Sequence, residues 1–402
     1  MDYATTKEQN NLLTQVGPGT RMGKLLRLYW WPVGISADLK EKPTLVRLMG
    51  EDLVLFRDST GKLGLLAAQC PHRRAQLCLG TVNPKGLRCR YHGWLFDAAG
   101  TVLETPGEAA GSDLKDRVKQ PAYEVQEIGG LIFAYLGPQP APLLPNYHFL
   151  AAEGERTCRI QSFNNSNWLQ SAENVIDPFH VSFLHADVWS ALTPVPERAW
   201  FEKTDKGIVY KALRAGRKEG EYNYREQPMI MPGVVVNGDP NVAEGADGRV
   251  AQWPIASARW SVPIDDTHTM NVRVHYRPKG QSKSRIEQQS TPAVAIPIEP
   301  YHEYKHGLPA LGYTMVSEVA QEDVTVLDSL GTISDRQNEN LSDIDGGVVR
   351  LRQMLLDQLA VMESGRDPLG VIRRVEDNPI QIVGGNYRWV RDSERDKLLE
   401  TV

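Results

Sequence analysis

Two cysteine–histidine pairs constrain this chain more than any other feature of its sequence. Cys70-Pro71-His72 is followed by sixteen residues and then by Cys89-Arg90-Tyr91-His92. Two thiols and two imidazoles in so short a span ask for a small domain that brings two loops together around metal. Structural zinc takes the same ligand types, but its knuckles space paired ligands by two to four residues. The single residue between Cys70 and His72 is tight for that. A two-iron cluster with one iron on thiolates and the other on imidazoles requires two loops that each give one Cys and one His. Gly80 and Gly93 let the backbone come close to such a cluster. Cys78 and Cys158 have no histidine at ligand spacing and read as buried thiols. Four thiols in 402 residues make no disulfide framework.

Around these pairs, from about residue 44 to 136, the signals are those of β-structure. Residues 53–56 and 63–67 are β-rich apolar runs separated by the turn Asp58-Ser59-Thr60-Gly61. A second hairpin turn falls at Asp97-Ala98-Ala99-Gly100, and residues 131–136 read as a buried strand. Upstream, residues 18–30 predict a short helix leading into the aromatic cluster Tyr29-Trp30-Trp31. The stretch Gly137-Pro138-Gln139-Pro140-Ala141-Pro142-Leu143-Leu144-Pro145 is too rich in proline for helix or central strand and marks a stiff connector. The boundary is placed there, with residues 1–145 as an N-terminal arm plus cluster domain and 146–402 as a second domain. The second domain predicts helices over 167–176, 315–330 and 348–362, and strands near 208–213, 234–236, 258–262 and 270–276. An antiparallel sheet with helices packed on it, an α+β arrangement, fits that pattern.

A second constellation opens that domain: Glu173-Asn174-Val175-Ile176-Asp177-Pro178-Phe179-His180-Val181-Ser182-Phe183-Leu184-His185. Non-haem Fe(II) oxygenases use two histidines and one carboxylate on one face of the metal, leaving other positions open. His180 and His185 are five apart, which on a straight helix leaves them about 140° out of line. They converge only if the helix breaks or widens, and Pro178, whose ring clashes with the carbonyl of Asn174, is a nearby disruption. The plainer reading is two core or surface histidines after an Asp-Pro helix start. A third ligand has to come from the C-terminal part, which offers Glu318, Glu322, Asp323, Asp328 and Asp335 among others. On a helix, Asp323 has Val319, Ala320, Val326, Leu327 and Leu330 around it and points inward, where a carboxylate without metal would be costly. Asp328 has the more mixed neighbours Val324, Thr325, Gly331 and Thr332 and is the runner-up.

The paired loops resemble those of the Rieske [2Fe–2S] proteins. Electron-transport members carry an extra cysteine in each cluster loop, joined as a disulfide. Tyr91 stands where the second loop would need one, so the chain looks like the lower-potential oxygenase branch. The second constellation resembles the iron signature of aromatic-ring-hydroxylating oxygenases. The likeness runs over almost the whole chain, through Val16-Gly17-Pro18-Gly19-Thr20, Tyr91-His92-Gly93-Trp94 and the late Asp335-Arg336 and Glu339-Asn340-Leu341. It is closest to the phthalate dioxygenase-like branch, with phenoxybenzoate dioxygenase and dehydrodivanillate O-demethylase.

The resemblance implies an all-β [2Fe–2S] domain followed by a helix-grip (START/Bet v1-like) antiparallel-sheet catalytic domain. Cys70, His72, Cys89 and His92 become the cluster ligands. His180, His185 and Asp323, the last in an acidic pair with Glu322, become those of a mononuclear Fe(II). Asp177, three residues before the first histidine, becomes the hydrogen-bonded bridge for an electron between His92 and His180. The family's trimers set the cluster of one subunit against the iron of its neighbour, so His92 is expected from an adjacent chain of a homotrimer or hexamer. Implied substrates are aromatic carboxylates, hydroxylated with O2 or, for methoxylated biaryl acids, cleaved by oxidative O-demethylation. Arg214, Arg225, Arg259 and Arg273 fall on expected strands, and an inward one pairs bidentately with a carboxylate. Arg225 and Arg214 rank first, against the plainer reading of a solvated strand face.

No G-x-G-x-x-G follows an expected strand, so NAD(P)H is expected to be used by a separate reductase of flavin or ferredoxin type. A net charge of −5 gives no field that draws in nucleic acid or an anionic membrane. No apolar run approaches the ~18–20 residues that span a bilayer, and the first eleven residues carry no signal-like apolar region. A cytoplasmic protein is expected. A Rieske electron carrier or sensor, the rival from another class, leaves everything after the connector unexplained.

Overall fold

The computed structural model describes residues 5–186, 193–216, 218–238, 256–281 and 319–400. Two compact units emerge: one runs Val16–Leu144, and the other joins the residues up to Gln15 to those from Pro145 onward.

The first unit is built from ten short antiparallel strands: β1 (Trp30–Ile35), β2 (Thr44–Leu48), β3 (Glu51–Arg57), β4 (Leu63–Ala67), β5 (Thr81–Asn83), β6 (Gly86–Arg88), β7 (Leu95–Phe96), β8 (Val102–Glu104), β9 (Ala122–Ile128) and β10 (Leu131–Tyr135). Six of them form a sheet in the order β1-β10-β9-β4-β3-β2, and β5-β6-β7-β8 form a smaller one. Their shared core holds Val54, Phe56 and Leu66 from the large sheet and Leu87, Phe96 and Val102 from the small one, together with Cys70, Cys89 and Trp94.

Both expected hairpin turns are present, and each rests on an aspartate. Asp58 Oδ1 accepts from the backbone N–H of Thr60 and Lys62, and Asp97 Oδ1 accepts from those of Ala99 and Thr101. Gly61 and Gly100 take the left-handed backbone that closes each turn. The helix expected over 18–30 is only Arg21–Leu26, capped by the Thr20 hydroxyl. Trp30 and Trp31 instead begin β1, paired with Tyr135 and Ala134. Their indole N–H groups donate to the carbonyls of Pro142 and Leu26, so both rings are buried with their polar atoms satisfied.

The second unit is a mixed α+β layer. Its strands are β11 (Gly154–Asn164), β12 (Arg198–Lys203), β13 (Gly207–Ala215), β14 (Glu221–Ile230), β15 (Val234–Gly238), β16 (Ala256–Pro263), β17 (Thr269–Pro278) and β18 (Asn386–Arg391). They are antiparallel in the order β11-β17-β16-β15-β14-β13-β12. One edge of β14 is shared, with Met229 and Ile230 pairing β15 while Glu221 to Glu226 pair β18. The helix Trp168–Ile176, capped by Asn167, packs on β16 and on the helices Val319–Ser329 and Gly346–Glu363. Residues 315–318 of the helix expected over 315–330, Glu318 among them, lie outside the described residues.

The expectation of a START/Bet v1-like helix grip is overturned by this arrangement. The long Gly346–Glu363 helix does not end the fold inside a sheet that grips it. It packs on β12 and β13, and the chain then returns to the sheet as β18. Two shorter helices frame the site instead: Val319–Ser329 carries Asp323, and Trp168–Ile176 leads into the turn that carries His180 and His185. No helix among the described residues is long and apolar enough to cross a membrane.

Behind the Trp168–Ile176 helix lies a buried ionic network. Glu173 accepts from Arg336 at 2.6 and 3.0 Å and from Arg352 at 2.6 Å, and Arg352 also reaches Glu339. Arg336 bonds Asn10 and Arg352 bonds Thr5, which ties in the N-terminal helix Lys7–Thr14.

Candidate metal centres

The two Cys–His loops fold alike. Cys70 donates its backbone N–H to Ala75 and accepts from Arg74; Cys89 donates to Trp94 and accepts from Gly93. The residue four beyond each cysteine is left-handed, at φ +62° for Arg74 and +75° for Gly93. Both thiols are buried and close enough to interact, and burial with the neighbouring Cys89 thiol pushes Cys70 up to about 11. The His72 and His92 rings stand edge to face with centroids 4.6 Å apart, and His72 stacks on Trp94. His92 Nδ1 is buried with no hydrogen-bond partner among the described residues. Two adjacent thiols beneath two imidazoles, one with an orphaned ring nitrogen, form a donor set that fits a [2Fe–2S] cluster. Cys78 and Cys158 are half-buried thiols outside any disulfide, and burial raises both.

In the second unit, His180, His185 and Asp323 each offer a ligand atom within 4.8 Å of the others. The Trp168–Ile176 helix ends at Asp177, whose backbone is extended. Asp177 then accepts from the N–H of Phe179 at 2.7 Å and of His180 at 3.3 Å. His180 and His185 flank the single helical turn Val181–Leu184, and His185 leaves helical geometry. The two rings converge for that reason, rather than through a break between them on a continuous helix. Nε2 of His185 lies 3.1 Å and Nε2 of His180 3.9 Å from Asp323 Oδ1.

Glu322 accepts from His185 Nδ1 at 2.7 Å, which leaves Nε2 to face Asp323, as a donor to its carboxylate here and as the atom that would ligate a metal. Burial opposes the Asp323 charge, yet the His185 hydrogen bond and the Arg259, His180 and His185 charges hold its pKa below the usual carboxylate value. Two imidazoles and one carboxylate converging in a buried place are the donor set of a mononuclear iron with open positions.

Residues 29–124 match the Rieske [2Fe-2S] domain family. The 5,5'-dehydrodivanillate O-demethylase oxygenase subunit of Sphingobium sp. is 37% identical over 91% of this chain and 83% of its own. The phenoxybenzoate dioxygenase subunit alpha of Ectopseudomonas oleovorans is 33% identical over 94% and 92%. The chain belongs to the Rieske non-haem iron ring-hydroxylating oxygenases. The structure of the oxygenase and ferredoxin complex of carbazole 1,9a-dioxygenase, 20% identical, covers 86% of this chain and 90% of that one with a TM-score of 0.58. That likeness, of fold, matches the mixed α+β catalytic unit described above and replaces the helix grip.

In this oxygenase Asp328 turns elsewhere: it accepts from Ser166 Oγ at 2.8 Å and from the N–H of Asn165, and burial raises its pKa. Arg214 is fully buried and donates to the Pro178 carbonyl, bracing the turn that carries His180. Arg225 donates to Gln227 and to Asn237, the latter at 2.7 Å. Arg259 lies 3.7 Å from Asp323 and bonds Ser171 and Asn271. Sequence reasoning missed Glu322 as the partner of His185 and Glu173 as the partner of two arginines. The acidic pair and the late Asp335-Arg336…Glu339 stretch were their only traces.

Proposed function

We propose that this oxygenase component uses O2 to hydroxylate an aromatic carboxylate, phthalate-like or phenoxybenzoate-like, with electrons supplied from NAD(P)H by a separate reductase of flavin or ferredoxin type. The observation that carries the reading is the convergent His180–His185–Asp323 triad in the same chain as the two Cys–His loops. A [2Fe–2S] cluster on Cys70, Cys89, His72 and His92 supplies one-electron storage, and a mononuclear iron on the triad supplies a site for O2. The protein's own groups orient those ligands: Glu322 sets the His185 tautomer, and Asp177 fixes the turn beside His180. Its position supports Asp177 as the bridge toward His92 of an adjacent subunit, in a homotrimer or hexamer. In that division of labour, the cluster domain within residues 1–145 stores the electron and the catalytic domain within 146–402 uses it. Arg225 and Arg214, on the sheet face toward the 175–178 backbone, are the arginines first assigned to the substrate carboxylate. The likeness to an O-demethylase favours a second reading, oxidative O-demethylation of a methoxylated biaryl acid. An electron carrier needs no triad, which weighs against that class.

The test is metal content followed by turnover. Metal-replete protein is expected to hold about three irons per chain, two in the cluster and one on the triad. With a reductase, phthalate, a phenoxybenzoate or a methoxylated biaryl acid is expected to couple reductant use to a hydroxylated or demethylated product. Two irons per chain would mark a carrier. Three irons with no aromatic acid converted would sink the substrate assignment alone.

A further inference from the structure

Arg159 on β11, Arg273 on β17 and Arg259 on β16 are direct partners across neighbouring strands. Residues two apart on a strand share a face, so His275 and its partner Ser257 continue the row. Arg259 is matched to Asp323. Among the described residues Arg273 is not matched: the hydrogen bond it makes there, to Ser257 Oγ, is 3.4 Å long, and its buried Nε finds no partner. His275 is 7% exposed, and its Nε2 has no partner among the described residues. Burial with the Arg273 and Arg159 charges holds His275 down at about 3, so its ring is neutral. Burial and the charges of Arg259, Arg159 and Arg225 bring Arg273 down to about 9, with Asp323 acting the other way. A guanidinium with its Nε buried and no carboxylate paired to it among the described residues is destabilising until an anion arrives. Its planar fork matches a carboxylate.

We propose that Arg273 and His275, with Arg159 beside them, form the seat for the carboxylate of the organic-acid substrate. The inference rests on the reading that this site takes an acid, and it moves the anion from the Arg214–Arg225 pair to the β11–β17 row. Arg259 is both the strand partner of Arg273 and the neighbour of Asp323. The seat therefore lies one strand, about 4.8 Å, beyond the arginine that touches the metal ligand, and a benzoate-sized acid can reach from one to the other.

Titration calorimetry and thermal melts of the holoenzyme with benzoate, phthalate and glutarate test this in wild type, Arg273→Met, Arg273→Lys and Arg225→Met. Arg273→Met is expected to weaken acid binding at least tenfold while the melting temperature without ligand stays level or rises. Arg273→Lys is expected to recover part of the affinity, and Arg225→Met to lose less than Arg273→Met. Binding to Arg273→Met within twofold of wild type overturns the seat. So does a fall in melting temperature shared by the Met and Lys variants in parallel with lost affinity, the mark of a structural arginine. Binding of none of the three acids to wild type also overturns it. If glutarate alone binds, with the same dependence on Arg273, the seat stands and the aromatic reading falls.

Discussion

At His185 the imidazole is held on both sides, by Glu322 at Nδ1 and by Asp323 at Nε2. Glu322→Ala leaves a buried ring nitrogen without its acceptor and frees the ring to turn. Iron affinity of the triad is expected to fall ten- to hundredfold, read by competition with a chelator while the cluster spectrum is unchanged. Affinity within twofold of wild type would mean that packing alone orients the ring. Ligand types and spacings were legible in the sequence, because thiolate, imidazole and carboxylate are the donors that iron accepts. Burial did not separate Asp323 from Asp328, which are 7% and 8% exposed. Five positions apart, about 140° on a helix, they meet different neighbours, one the histidines and the other Ser166. The role of Glu322 was not legible, since it exists only once a helix from far along the chain lies beside His185.

Among the elements, the Trp168–Ile176 helix depends most on a charge. Glu173 lies between Arg336 and Arg352, and Glu173→Gln would leave two buried guanidinium groups short of charge. Breaking such a pair costs about 3–5 kcal/mol, and a correspondingly lower melting temperature is expected. Burial opposes ionisation of Glu173, but the two arginines prevail and set its folded pKa below the ordinary 4.5. A depressed carboxylate pKa contributes stability that is complete above the unfolded value and lost as pH falls through the folded one. Acid unfolding of wild type is therefore expected to steepen below about pH 4.5, and the Gln variant to lack that component. A pH profile identical in the two proteins would count against the network. Strands with apolar runs, such as β10, β15, β16 and β17, were legible. β11 and β18 were not: Glu155-Arg156-Thr157-Cys158-Arg159 and Tyr387-Arg388-Trp389 carry polar or charged side chains on both faces. Their pairing with β17 and β14 comes from tertiary context that local pattern does not encode.

For the whole molecule, the proposed electron route has a physical requirement: a second chain has to bring its His92 to Asp177. Sedimentation of the metal-replete protein as a trimer or hexamer is expected, and a monomer that turns over would exclude the intersubunit route. The N-terminal helix Lys7–Thr14 belongs with the catalytic unit, and its Asn10 bonds the Ser334 carbonyl, 324 positions away. Translation runs at about 5–20 residues per second, so this helix emerges tens of seconds before its partner is made. Residues 16–144 can close into a finished body in the meantime, while the first helix waits. The catalytic unit is thus a fold whose two passages lie on either side of residues 16–144 in the message, and a ribosome that stalls before Ser334 leaves the Lys7–Thr14 helix without a home.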